Sequence, residues 1–199
     1  MKLYYVTGAC SLADRIALAE AGIACDFIRV DLHTRTTEDG ASFDAVNAKG
    51  YVPVLVLDSG EMITENIAIL SWIAEQAPTL RPEGPLGWFR LLEATAYIST
   101  EIHGGFKPFF HAGSPDEKAR AAVEVGKRLG YLAESMDSDF LLGPNLSVAD
   151  AYLFVMLTWA RRNALQIPPR LEAFYARMSA RETVRAALAQ EGLLEALAA

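Results

Sequence analysis

The sequence predicts an α/β unit over residues 1–77 followed by an all-α helical unit over residues 86–199. Three observations carry this reading. Up to residue 77, short runs of β-branched and aromatic residues alternate with segments of helical apolar spacing. Pro78, Pro82, Gly84 and Pro85 then break the pattern and mark a linker. Beyond them no strand run of comparable quality follows, and apolar residues recur at helical spacing throughout.

The first element is the strand Lys2-Leu3-Tyr4-Tyr5-Val6, which leads into the turn Thr7-Gly8-Ala9-Cys10. A helix carrying Leu12, Ile16, Leu18 and Ala19 comes next. Ser11 and Asp14 form a Ser-x-x-Asp capping signature, so Ser11 is the expected N-cap, and Gly22 the expected C-cap. Cys25 to Leu32 reads as a second strand, with Cys25 in the core. Strand, helix and strand make a crossover between parallel neighbours. Residues 33–50 are polar, with one short helix expected around Ser42 to Ala48. Pro53 opens a buried strand, Val54-Leu55-Val56-Leu57, as proline is allowed to do at a strand's first position. The turn Asp58-Ser59-Gly60-Glu61 leads to Met62-Ile63 as its antiparallel partner, and Thr64 is placed to cap a helix from Glu65 to Gln76.

In the second unit, residues 86–111 carry Leu91, Ala94, Ile98, Ile102 and Phe109 at helical spacing. Pro115 to Ser135 is a long helix with proline at its start. Ser147-Val148-Ala149-Asp150 repeats the capping signature, and Ser147 and Asp150 are assigned to capping and folding. The helix Ala151 to Ala160 behind them is apolar nearly all round, as the central helix of a bundle is. Shorter helices are expected over Pro168 to Met178 and Glu182 to Ala189.

Composition narrows the function. The chain has 199 residues, 52% of them hydrophobic, which supplies a sizeable core and argues against disorder. A net charge of −7 argues against nucleic acid as the main partner. Residues 1–80 hold 5 Lys/Arg against 11 Asp/Glu, a field that favours a ligand with a cationic group. The apolar runs are too short to span a bilayer, no signal peptide opens the chain, and no membrane association is expected. Two cysteines, Cys10 and Cys25, argue against a disulfide scaffold and fit a reducing cytoplasm. No cluster with metal-ligand spacing occurs, so no metal is expected.

The chemistry is expected at the first strand–helix turn. Cys10 stands one residue ahead of a helix start. Unpaired N–H groups and the positive end of the helix dipole favour a thiolate there, its own or that of a bound ligand. The alternative for a lone cysteine is a small buried packing group. Glu65, in the first turn of its helix, is either a partner of the helix dipole or a carboxylate for a ligand's ammonium. His103 shares a helical stripe with Ser99, Phe106 and Phe110, which by itself describes a packed core histidine. Gly104-Gly105 within a helix admits a close neighbour or marks a kink.

In their order and spacing these segments resemble the cytosolic glutathione transferases, most closely the bacterial beta class. The resemblance runs through Lys2-Leu3-Tyr4-Tyr5 to Gly8-Ala9-Cys10-Ser11-Leu12-Ala13, Asn47-Ala48-Lys49-Gly50-Tyr51-Val52-Pro53 and Thr64-Glu65-Asn66-Ile67-Ala68-Ile69. It continues through Glu101-Ile102-His103-Gly104-Gly105-Phe106 and Ser147-Val148-Ala149-Asp150-Ala151-Tyr152, and so covers essentially the whole chain. It implies a thioredoxin-like glutathione-binding domain over 1–77, a helical-bundle domain carrying the electrophile pocket over 86–199, and a homodimer. Glutathione is the co-substrate and no other cofactor is implied. The resemblance also implies a cis Val52–Pro53 bond, with the Val52 backbone pairing with the cysteinyl main chain of glutathione. It gives Glu65 the ligand's ammonium, and Asn66 with the helix N–H groups the adjacent carboxylate. The family often has Ser or Gly where this chain has Asn66. Arg35 falls where the beta class often has a Lys for the glycine carboxylate. His103 would hydrogen-bond the glutathione sulfur beside Cys10. Phe106, Phe109, His111 and Trp159 are candidates for an apolar pocket that takes a small hydrophobic electrophile. Ala96 departs from relatives with a polar Asn near this point.

The activity so implied is to bind glutathione, lower its thiol pKa and direct the thiolate at an electrophilic carbon. Cys10 is not expected to attack the organic substrate itself. Two alternatives stand beside it. One is a monothiol, glutathione-dependent thiol–disulfide oxidoreductase, monothiol because Ala13 occupies the place of a second cysteine. The other is a non-catalytic binding protein of the same fold.

Overall fold

The computed structural model describes residues 1–194 and divides into two compact units. The first unit comprises residues 1–77 and 181–194, and the second comprises residues 78–180.

In the first unit β1 (Lys2–Tyr5), α1 (Ser11–Glu20) and β2 (Asp26–Asp31) make the crossover, with β1 and β2 parallel. A two-residue strand, β3 (Thr36–Thr37), pairs antiparallel with the outer edge of β2. Its polar sequence hides it, because Thr37 turns inward and its hydroxyl donates to Asp39 and to the Ala41 carbonyl. The expected helix around Ser42 to Ala48 shrinks to one 3₁₀ turn, Phe43–Ala45. β4 (Val54–Val56) lies antiparallel to β1, and β5 (Met62–Thr64) antiparallel to β4, giving the order β3-β2-β1-β4-β5. Chain α2 (Asn66–Gln76) follows. Leu3, Leu55, Leu12, Ile16, Ile69 and Leu70 are fully enclosed. Each such side chain contributes about 1.5–3 kcal/mol by leaving water.

Two local expectations need correction. Ser11 does not cap α1. The helix begins one residue earlier, with Cys10 in the N-cap place at φ −60°, and the Ser11 hydroxyl turns back to Val6 at 3.4 Å. Cys25 is half-exposed rather than core, because pairing between β1 and β2 begins at Lys2 and Asp26, one residue beyond it. At the other end of α1, Gly22 takes φ +66°, which lets the Ile23 N–H reach the Leu18 carbonyl at 3.0 Å.

The second unit is helical. The stretch 86–111 is one helical rod in three styles. α3 (Gly87–Tyr97) passes into a π turn, Ile98–His103, then a 3₁₀ turn, Gly104–Phe106, then α4 (Lys107–Phe110). Gly104 and Gly105, read as admitting a close neighbour or marking a kink, open the 3₁₀ turn. At Gly105 an added Cβ would meet Val125 Cγ2 at 2.7 Å, so glycine lets α5 (Pro115–Ser135) come close. α5 opens with a capping box in which the Glu117 N–H donates to Ser114 Oγ at 3.3 Å and the Ser114 N–H to Glu117 Oε2 at 2.7 Å. α6 (Val148–Arg162) is buried from Val148 to Ala160 and packs against α3 and α7 (Pro169–Ser179). Asp150 holds its start, accepting from the Ser147 N–H, the Ser147 hydroxyl and the Leu141 N–H, each at 2.7 Å.

The last described helix, α8 (Glu182–Gln190), packs on α1 and so belongs with the first unit. Arg181 donates to both oxygens of Glu20, at 2.6 and 2.7 Å, and Thr183 donates to the same carboxylate. The helical unit that the linker had been expected to open at residue 86 thus ends at Ala180 rather than running on to residue 199.

Candidate functional site

In the first unit the ends of α1 and α2 meet. The Asn66 amide, with its nitrogen toward two acceptors, donates to the Cys10 carbonyl at 3.1 Å and to Asp14 Oδ2 at 2.9 Å. Asn66 was expected to face a ligand; its side chain instead ties the two helix starts, and only its backbone N–H remains at the head of α2. That head carries no side-chain cap. Its N–H groups and dipole are thus open to an anion.

Glu65, just before α2, has φ +72°, a left-handed value that costs a residue with a Cβ of order 1–3 kcal/mol. Thr64 is fixed by the β5 ladder and Asn66 by α2, so the reversal falls on Glu65. Its carboxylate accepts from Lys49 Nζ at 2.6 Å and from the Tyr51 hydroxyl at 2.7 Å. These two donors, Lys49 first, lower the carboxyl pKa, so the group is a carboxylate already engaged with an ammonium. Lys49 and Tyr51 lie inside the Asn47–Pro53 motif, yet nothing in their spacing marks them as its partners.

The Val52–Pro53 bond is cis. Among the described residues neither the N–H nor the C=O of Val52 finds a backbone partner. Arg35, expected near a carboxylate, donates to Asp44 through Nε at 2.7 Å and again through Nη2. Both side chains of that pair are about half exposed (47% and 49%), and such a pair is weak. The guanidinium lies against Gly50, where an added Cβ would meet Nη2 at 2.2 Å.

Cys10 is buried, with 8% of its surface exposed. Burial first, and the Asp14 charge second, push its thiol up to about 12; the Cys10 and Ser11 N–H groups pull the other way and lose. The expected Cys10 thiolate is therefore corrected: the helix start acts as anticipated, but desolvation outweighs it, and the sulfur carries its proton at neutral pH. Asp14 beneath it is fully enclosed, its Oδ1 has no partner, and burial raises its carboxyl well above the usual range.

In the second unit His103 ends the π turn, a distortion frequent at functional sites. Its Nδ1 lies 2.7 Å from the Tyr152 hydroxyl. Burial first, and the Lys107 cation second, lower its pKa, so the ring is neutral at pH 7. Trp159 stands edge-on to it at 5.0 Å and to Phe110 at 4.7 Å. Of the four pocket candidates, Phe106 is fully buried and supports the cluster from behind, while Phe109 is half-buried beside it at 5.8 Å. His111 is exposed and joins no ring contact among the described residues. Phe110, more than half exposed over Trp159, is the surface aromatic that helical spacing alone did not single out as pocket lining. Among the described residues no group of three His, Cys, Asp or Glu stands together for a metal ion, and no helix is long and apolar enough to cross a membrane.

Comparison with known proteins gives the same outline. Residues 9–76 match the family model for the glutathione S-transferase N-terminal domain, and residues 97–182 the model for the C-terminal domain. A glutathione S-transferase of Escherichia coli O157:H7 is 39% identical over 97% of this chain and 100% of its own. A sphingomonad glutathione S-transferase solved in complex with glutathione superposes with a TM-score of 0.91 at 44% identity, covering 97% of this chain and 100% of that one. The bacterial beta-class enzyme of Sphingomonas chungbukensis gives a TM-score of 0.89, also at 44% identity, with the same coverage.

Proposed function

The chain belongs to the glutathione S-transferase family and is a glutathione transferase, and we propose that its first unit holds glutathione through four groups around a Cys10 that stays a thiol. Glu65 takes the ammonium in exchange for Lys49. The uncapped start of α2 takes the adjacent carboxylate. The open backbone of Val52 pairs with the cysteinyl main chain, and Arg35 exchanges Asp44 for the glycine carboxylate. One observation carries the reading: Glu65 held at φ +72° with an ammonium on its carboxylate, next to a helix start without a cap. A strained residue that presents a charge is what a preorganised ligand clamp requires.

Cys10 then acts as a donor. A neutral S–H beside the glutathione sulfur favours the thiolate by hydrogen bonding to it, with the α1 N–H groups adding their field. The alternative role of monothiol oxidoreductase needs a Cys10 thiolate, which burial of the sulfur disfavours in the ligand-free protein; reduction of hydroxyethyl disulfide tests it. His103, neutral and fixed by Tyr152, is the proposed second group acting on the sulfur. Phe109, Phe110 and Trp159 are the proposed apolar surface for a small hydrophobic electrophile.

A homodimer and a cytoplasmic location complete the proposal. Exposed Leu86, Phe89 and Tyr131 on the second unit supply apolar surface for a partner, and the free thiols suit a reducing compartment. Light scattering tests the dimer.

Steady-state conjugation of glutathione to chlorodinitrobenzene tests the clamp. Glu65→Gln is expected to raise the KM for glutathione about tenfold with a smaller change in kcat, the signature of lost ground-state binding. An unchanged KM would remove Glu65 from the site. Phe110→Ala is expected to raise the KM for the electrophile alone.

A further inference from the structure

The turn that presents Cys10 is held by the far end of the chain. Glu191, directly after α8, is buried, and its Oε2 accepts the Gly8 N–H at 2.7 Å. Gly8 stands two residues before Cys10 at φ +69°, so its amide direction sets the path of the turn. The other oxygen, Oε1, lies 3.1 Å from Arg15 Nε in an ion pair whose side chains are 3% and 0% exposed. Arg15 is itself walled in. Its guanidinium lies 4.3 Å from the Tyr5 ring centroid and 3.8 Å from that of Phe27, and Nη1 donates to Gln190 at 2.9 Å. Burial raises the Glu191 carboxyl, while the Gly8 N–H and Arg15 draw it down.

The arrangement exceeds what docking of α8 requires. A second anchor already fastens the start of α8 to the end of α1, through Arg181, Thr183 and Glu20. A carboxylate enclosed at the helix end is costly, and here Oε1 faces Arg15 as an ion pair without a hydrogen bond while Oε2 is spent on a loop amide two residues before Cys10.

We infer that Glu191 is a positioning residue for the transfer reaction: it fixes the Gly8–Cys10 turn, and through it the direction in which the Cys10 thiol meets the glutathione sulfur. The inference rests on the reading of Cys10 as donor, and Cys10→Ala tests that reading separately.

The experiment compares Glu191→Ala, Glu191→Gln and Glu20→Gln by conjugation kinetics, by the pH profile of kcat/KM and by hydrogen exchange at the Gly8 amide. Glu191→Ala is expected to lower kcat about tenfold, to raise the pKa seen in the kcat/KM profile, and to speed Gly8 exchange at least tenfold. Glu191→Gln keeps an acceptor for Gly8 and should recover most of kcat. Glu20→Gln weakens the other anchor, away from Gly8, and should leave kcat and the profile unchanged. The inference is overturned if a folded Glu191→Ala matches native kcat and pH profile, if Glu20→Gln reproduces its effects, or if neither Glu191 variant folds, since Glu191 is then a folding residue. If Gly8 exchange quickens but Cys10→Ala leaves kcat and profile native, the latch stands and the role of Cys10 falls.

Discussion

Asp14 and Asp150 hold equivalent places, each three residues beyond a serine at the start of a buried helix, and both are fully enclosed. Their surroundings differ. Asp150 meets three donors, two backbone N–H groups and a hydroxyl, and closes the start of α6. Asp14 meets one donor, the Asn66 amide, and keeps one oxygen without a partner. The serines differ in the same sense: Ser147 is a true N-cap, whereas Ser11 is already inside α1. The pattern alone does not decide what a buried acid does; the number of donors delivered to it does. Where they are supplied in full, the acid serves folding. Where they are withheld, it lies beside Cys10, where the chemistry is proposed.

That contrast can be broken or sharpened by substitution. Asp150→Ala leaves the Ser147 and Leu141 N–H groups buried without acceptors, and should lower the unfolding free energy by about 3–5 kcal/mol in denaturant titrations, with an unchanged KM for glutathione in the protein that remains folded.

The next effect is one of pH. Burial raises the Asp150 carboxyl from 3.8 to about 6 against its hydrogen bonds, so between these values the folded protein keeps a proton that the unfolded chain releases. Its contribution to stability is fully present below about pH 4, declines as pH rises to about 6, and is level above. Relative to Asp150→Asn, the native protein should lose roughly 2–3 kcal/mol across that window, read from denaturant midpoints at each pH.

Asp14→Ala should reverse the order of effects. It removes one of the two acceptors that hold Asn66 between the starts of α1 and α2, so the KM for glutathione should rise about three- to tenfold, while stability changes by only about 1 kcal/mol because losing an underpartnered buried acid offsets the cavity left behind. The smallest contrast lies in the serines. Ser147→Ala is expected to cost about 1 kcal/mol, and Ser11→Ala less than about 0.5, its contacts to Val6 being long.

Much of this architecture can be read from residues alone. The crossover of β1, α1 and β2, the linker at 78–85, the cap of α6 and the place of Cys10 at a helix start all follow from local pattern. What escapes is whatever depends on a distant partner or on depth. Glu65 takes a left-handed backbone because β5 and α2 fix its neighbours. Arg35 finds Asp44 across a loop. Thr36-Thr37 becomes a strand only because β2 offers an edge. The depth of Cys10 reverses its ionisation, and no motif encodes depth. Arg15 and Glu191 meet across most of the chain, with nothing in either segment announcing the other.

The most direct test follows thiolate absorbance in the near ultraviolet during pH titration, with and without glutathione, in the native protein and in Cys10→Ala. The account predicts no thiolate from the ligand-free native protein at pH 7, since burial pushes the Cys10 thiol up to about 12. It predicts that glutathione brings a thiolate whose pKa lies well below that of the free tripeptide, and that Cys10→Ala weakens this depression. A thiolate present at neutral pH without glutathione, and lost in Cys10→Ala, would contradict it and make Cys10 the ionised group.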